Sequence, residues 1–106
     1  MSKSAKRVAY RYLMARAPIP MEMITDPRVR YGREEMKILQ SYLDQINSGQ
    51  TKSWLSDSVR DWKAFATGNR NYWEGTDLES YYEGYKKRRV NFKAVYAALK
   101  ELLELL

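Results

Sequence analysis

Apolar and aromatic residues recur at helical spacing along the chain, and the longest such stripe lies towards its C-terminal end. From Leu78 onwards these residues fall three, four or seven positions apart, at 78, 81, 85, 92, 95, 99, 102 and 106. This spacing predicts the wide apolar face of one core-facing helix over residues 77–105. Thr76 and Glu79 form the pattern of a capping box at its start, and Arg88 interrupts the stripe.

The pattern divides the rest of the chain into shorter elements. It predicts a helix at 4–16, an apolar connector laid across the core at 18–25, helices at 27–48 and 53–66, and a loop at 67–75. Asp26 and Pro27 suit a helix start, and Gly32 either permits a close helix crossing or marks the true beginning of the main helix. The expected fold is an all-α single domain spanning 1–106, a four-helix arrangement in which three shorter helices pack on a long C-terminal helix.

The composition excludes several kinds of chemistry. The chain has no cysteine and no histidine, which removes disulfides, thiolate zinc sites, the commonest general base and most transition-metal sites. Asp57 and Asp61 share a helix face, as do Glu79 and Glu83, but no third ligand type accompanies either pair, so we interpret them as surface acids. The sequence therefore predicts a protein that is not an enzyme and that uses no metal and no cofactor.

Positive charge is the strongest functional signal, because the net charge is +6. Two groups of cations are candidates for binding nucleic-acid phosphates, one near the N-terminus and one in the C-terminal stretch: Lys3, Lys6, Arg7, Arg11, Lys86, Lys87 and Lys93. The alternative is that these cations only solvate helix faces. Since no base-reading motif is present, the best hypothesis is backbone-directed, largely sequence-independent nucleic-acid binding.

The loop at 67–75 combines a cation with two large aromatic residues. Arg70, Tyr72 and Trp73 are candidates for stacking on bases or for capturing a peptide. The alternative is an aromatic latch that closes one end of the core, because large aromatic side chains are usually buried.

A second hypothesis is a helical protein–protein adaptor or assembly subunit with an acidic or helical partner, or a homo-oligomer. Its interface would use Arg88, Leu99, Leu102 and Leu106, because the Leu-rich end of the long helix exceeds the reach of three shorter helices. Arg88 and Arg89 must snorkel, pair with an acid or mark where the core ends. The tract at 7–13 resembles the opening of phage proteins of unknown function, which suggests a virion-associated subunit but implies no functional residue.

The sequence also gives an expectation for location. No apolar run approaches the roughly 20 residues that span a bilayer, and the basic start of the chain is not followed by the apolar core of a secretory signal. We therefore expect a cytoplasmic protein without a membrane span.

Overall fold

The computed structural model describes residue 5 and residues 17–106, so the predicted helix at 4–16 lies almost wholly outside the described residues. A short 3-10 helix at Met21–Met23 is followed by α1 (Arg33–Asn47), α2 (Lys52–Thr67), α3 (Arg70–Trp73), α4 (Leu78–Lys87) and α5 (Phe92–Leu105). All regular structure in this part of the chain is helical, which confirms the all-α class. The C-terminal helix α5 packs most extensively on α2 and also contacts α1.

The stretch predicted as one long helix over 77–105 is two helices, α4 and α5, joined by a tight turn. Arg89 in this turn has a φ of +58°, which is left-handed and cannot continue an α-helix. The apolar stripe stays in phase on both sides of the turn, so its spacing alone did not reveal the break. Each half carries its own buried or half-buried face.

The helix predicted from residue 27 begins six residues later, at Arg33. The Asp26 side chain caps a local turn instead, because its Oδ1 accepts the Arg28 N–H at 2.9 Å. Gly32 is the N-cap of α1, and the Glu35 carboxylate reaches back to accept its N–H at 2.7 Å. A Cβ at position 32 would lie 2.7 Å from Glu35 Oε1, so only glycine lets the carboxylate come this close.

The helix predicted at 53–66 is observed nearly as expected. Thr51 caps α2 by accepting the Trp54 N–H at 3.0 Å, and the helix runs one residue further than predicted at each end. The connector at 18–25 crosses the core as predicted, with Ile24 fully buried. The loop predicted at 67–75 contains the short helix α3, which packs on α2.

An aromatic cluster centred on Trp62 fills the space between α2, α4 and α5. The Trp62 ring lies 4.8 Å from that of Tyr85, and its Nε1–H donates to the Tyr42 hydroxyl at 3.0 Å. From α5, the side chains of Val95, Ala98, Leu99 and Leu102 are almost fully buried. Burying each leucine stabilises the fold by about 1.5–3 kcal/mol, so α5 is held chiefly by the core of its own chain.

Candidate functional site

Four consecutive basic residues, Lys86 to Arg89, join α4 to α5, and all four side chains are exposed. We call these four residues the basic turn. Lys86 and Lys87 end α4, where the negative end of the helix dipole favours cations. Arg88 and Arg89 follow the last helical residue, so they mark the break in the stripe and do not lie within the buried face.

The basic turn closes α4 in a Schellman motif. The Arg89 N–H donates to the Lys86 carbonyl oxygen at 3.0 Å, and the Val90 N–H donates to the Tyr85 carbonyl oxygen at 3.1 Å. Arg89 occupies the left-handed position of this motif. Val90 is buried, which anchors the turn while the basic side chains remain in solvent.

The chain ends α1 and α2 with the same motif but places glycine at the left-handed position. Gly49 has a φ of +105° and Gly68 a φ of +70°. An L side chain in this conformation costs roughly 1–2 kcal/mol, a cost that glycine avoids. An exposed arginine at such a position points to a use for its side chain, since the turn itself would be better served by glycine.

The cations of the basic turn have no acid partner within the described residues, a property that they share with other exposed cations such as Lys52, Lys63 and Lys100. Four basic residues elsewhere form ion pairs with acids close in sequence: Arg28 with Asp26, Lys37 with Glu34, Arg60 with Asp57, and Arg70 with Glu74. Within the described residues, none of the basic turn's side chains forms an ion pair with an acid. Among these four side chains, Lys86 contacts an aromatic ring, with its Nζ 5.9 Å from the centre of the Tyr82 ring.

Of the other predicted phosphate-binding residues, Lys93 is exposed in the first turn of α5, four positions beyond the basic turn. Lys3, Lys6, Arg7 and Arg11 lie outside the described residues. Residues 17–106 contain fourteen basic and thirteen acidic side chains, so their net charge is only +1. Residues 1–16 carry five basic side chains and no acid, so the excess charge of the chain is concentrated there.

Glu35 holds the start of α5, just after the basic turn, against the start of α1. Glu35 is 7% exposed and is the only buried charged residue among those described. Oε1 accepts the Gly32 N–H, and Oε2 accepts the Asn91 N–H at 3.3 Å. Asn91 in turn caps α5, because its Oδ1 accepts the Ala94 N–H at 3.1 Å. The two helix N-termini therefore meet at one carboxylate, as their dipoles favour.

An open groove of about 460 Å³ lies between α1 and α4 beside the basic turn. We call it the α1–α4 groove, and its lining residues are Glu34, Lys37, Ile38, Ser41, Tyr42, Tyr85 and Arg88. Burial, followed by the nearby Tyr42 and Tyr81, raises the pKa of Tyr85, whereas Arg88 opposes this shift. The Tyr85 phenol is therefore a hydrogen-bond donor at neutral pH.

The structure separates the three residues predicted for stacking or peptide contact. Trp73 is 2% exposed and stacks on Tyr82 with 4.4 Å between ring centres, so it closes the core and offers no external surface. The Tyr72 hydroxyl donates to Asp61 Oδ1 at 2.8 Å, which raises the pKa of Tyr72. Arg70 Nε lies 3.2 Å from Glu74 Oε1. The prediction that Trp73 contributes to an external binding site is wrong. Its burial agrees with the alternative prediction, in which an aromatic side chain closes one end of the core.

The residues predicted for a partner interface are also divided. Leu99 and Leu102 are fully buried within the chain's own core, so their assignment to an external surface is wrong. Leu106 is partly buried against the same core. Arg88 is exposed and lines the α1–α4 groove. The reach of the predicted long helix was overestimated, because the break after Lys87 lets α5 lie along α2.

Three of the four acids that the sequence placed in pairs, Asp57, Asp61 and Glu79, bind partners close to them in sequence. Asp57 pairs with Arg60, and Asp61 accepts from Tyr72. Glu79 accepts the Gly75 N–H at 3.4 Å, near the start of α4. Among the described residues, no group of three or more acids is placed to hold a metal ion.

Sequence reasoning missed the exposure of Tyr81, because the apolar stripe placed this residue on the core-facing side of the predicted long helix. The Tyr81 side chain is 59% exposed, the largest exposure among the large hydrophobic residues described. The stripe gave no sign of this, because position 81 is in phase with buried positions.

Comparison of the chain with family models, curated proteins and solved structures found no match. None of the helices in the described part of the chain combines the length and the apolar character needed to cross a bilayer.

Proposed function

We propose that this protein binds nucleic acid through the phosphate backbone, largely independently of sequence. The basic turn forms the centre of the contact, Lys93 extends it along α5, and the cations of residues 1–16 add to it. The observation that carries the proposal is the arginine at a left-handed position normally given to glycine, within four exposed cations that have no acid partner among the described residues.

The geometry of the basic turn favours this role over simple solvation. A four-residue basic run inside a helix would point in all directions around the axis, whereas the turn ends the helix within the run. Because Val90 and Glu35 fix the backbone beside the turn, a ligand has to order only the side chains of the cations and not the turn itself. Pre-organised charges lose less conformational entropy on binding.

The adaptor hypothesis has less support. It assigned the interface to the Leu-rich end of the chain, and two of its three leucines are occupied in the core. The described large hydrophobic side chains with the greatest exposure are Val29, Met36, Tyr72 and Tyr81, which belong to different segments. They do not form the continuous stripe along α5 that this hypothesis requires.

The test is the salt dependence of binding, measured by fluorescence anisotropy with labelled oligonucleotides at several ionic strengths. Each phosphate contact contributes about −0.9 to the slope of log K against log salt for a duplex, and about −0.7 for a single strand. If the turn and Lys93 make about four or five contacts, we expect a slope of about −3 or steeper. No binding at low ionic strength would rule out the proposal.

A matched pair of variants separates local contacts from net charge. One variant combines three substitutions in the basic turn: Lys86→Gln, Lys87→Gln and Arg89→Gln. The control removes three exposed cations elsewhere: Lys52→Gln, Lys63→Gln and Lys100→Gln. We expect the first variant to flatten the slope by about 2–3 and the control to change it by less than 1. Equal effects would show that only net charge matters.

A further inference from the structure

The α1–α4 groove offers aromatic surface directly beside the cations of the basic turn. Tyr42 from α1 and Tyr85 from α4 line it together with Arg88, the residue that precedes Arg89. Its volume of about 460 Å³ falls within the usual range of sites for small ligands. One face of the molecule therefore combines aromatic rings, a guanidinium and solvent access.

The two tyrosines of the groove are held in place from beneath. Trp62, which is 2% exposed, donates its Nε1–H to the Tyr42 hydroxyl and packs its ring against Tyr85. Tyr42 also lies 5.4 Å from the Trp54 ring. No hydrogen bond within the described residues engages the Tyr85 hydroxyl, which remains available to a ligand. The aromatic surface is therefore rigid and retains one unused donor.

Tyr81 extends this surface into solvent. Positions 81, 84 and 85 share one face of α4, and Arg88 follows at the same spacing just beyond the last helical residue, so Tyr81 lies on the side that carries Tyr85 and Arg88. Gly84 stands between Tyr81 and Arg88, and the space around its Cα is open. A Cβ at position 84 would meet no atom within 4 Å, so no neighbouring side chain covers the helix surface at this point.

We propose that Tyr81 and the α1–α4 groove bind an unpaired nucleobase, so that the ligand of this protein is single-stranded nucleic acid. This inference rests on the proposed function, because the basic turn supplies the phosphate contacts. Aromatic side chains stack on any base, and such stacking requires no sequence preference. In a duplex the bases are already stacked and would first have to be extruded. Arg88 connects the two contacts, since it lies in both the groove and the basic turn.

The experiment compares binding of a labelled single-stranded oligonucleotide with that of a hairpin duplex of equal charge. Tyr81→Ala removes the exposed ring, Tyr81→Phe retains a stacking surface, and Tyr72→Ala removes an exposed tyrosine on a different element. We expect Tyr81→Ala to weaken single-strand binding by about 5- to 100-fold with an unchanged salt slope. Tyr81→Phe and Tyr72→Ala should remain within about twofold of the unmodified protein, and duplex binding should respond to none of the three.

The outcomes distinguish this inference from the proposal on which it rests. If Tyr81→Ala leaves single-strand affinity unchanged, or if the duplex binds more tightly, the groove does not bind a base. The phosphate-binding proposal then still stands, provided that the three basic-turn substitutions flatten the salt slope. If neither oligonucleotide binds at low ionic strength, both proposals fail.

Discussion

Replacing Arg89 by glycine should stabilise the protein while weakening its binding to nucleic acid. The side chain is exposed, so its removal sacrifices no packing, and the hydrogen bonds that close the turn are made by the backbone. Relief of the left-handed conformation gains roughly 1–2 kcal/mol. Glycine also costs roughly 0.5–1 kcal/mol of stability, because it gives the unfolded chain greater conformational freedom. The expected net gain in the free energy of unfolding is therefore about 0.5–1 kcal/mol.

Urea unfolding followed by far-ultraviolet circular dichroism measures this difference. Arg89→Ala is the matched control, because it removes the guanidinium but keeps the Cβ that the left-handed conformation disfavours. Arg89→Asn should lie between the alanine and glycine variants, since asparagine tolerates this conformation better than most residues. For a domain of this size the gain in the glycine variant corresponds to a rise of roughly 2–6 °C in melting temperature.

A glycine variant no more stable than the alanine variant would refute this reasoning. The backbone at position 89 would then carry no strain, and the retained arginine would lose its significance as a functional signal. Binding provides the second half of the test, because all three variants should lose the same phosphate contact. We expect the salt slope of each to flatten by about 1.

Three further predictions concern stability. Glu35→Ala leaves two backbone N–H groups without their acceptor and should cost about 2–3 kcal/mol in urea unfolding, whereas Glu35→Gln, which keeps one carbonyl oxygen, should lose less. A loss below about 0.5 kcal/mol in the alanine variant would contradict this account. Tyr42→Phe leaves the buried Trp62 Nε1–H without a partner and should cost about 1–2 kcal/mol by the same assay; an unchanged midpoint would mean that the hydrogen bond contributes nothing. The raised pKa of Tyr85 favours its neutral form in the folded state, so its contribution to stability is present below pH 10.0 and is lost as the pH rises beyond that value. Unfolding at alkaline pH should therefore be less pH-dependent in Tyr85→Phe than in the unmodified protein, and parallel curves would contradict the assignment.

Periodicity predicted the faces of the helices better than it predicted their ends. The Leu-rich positions of α5 do face a core, and Thr51 and Gly68 bound α2 close to where the pattern placed its ends. The pattern did not predict the break between α4 and α5, because the apolar stripe keeps its phase across it. In addition, an arginine occupies the position where glycine would have indicated a helix end. Asn91, which caps α5, was the sequence signal for that break.

Long-range contacts account for the remaining differences. Asp26 and Pro27 suit a turn as well as a helix start, and the true start at Gly32 depends on a carboxylate that also bonds residue 91. The α1–α4 groove is lined by residues more than forty positions apart, so a local sequence pattern cannot predict it. The basic run itself was visible in the sequence, but its exposure depended on the turn.

The hydrogen bond between Glu35 and Asn91 makes one amide a reporter of tertiary structure. Asn91 is the N-cap residue of α5, so its N–H has no acceptor within that helix and would exchange rapidly with solvent in an isolated α5. In the folded chain its protection depends on a side chain 56 positions away. Hydrogen exchange at this single amide therefore follows the docking of α1 separately from the formation of α5, and it can reveal whether α1 and α5 open together or in sequence.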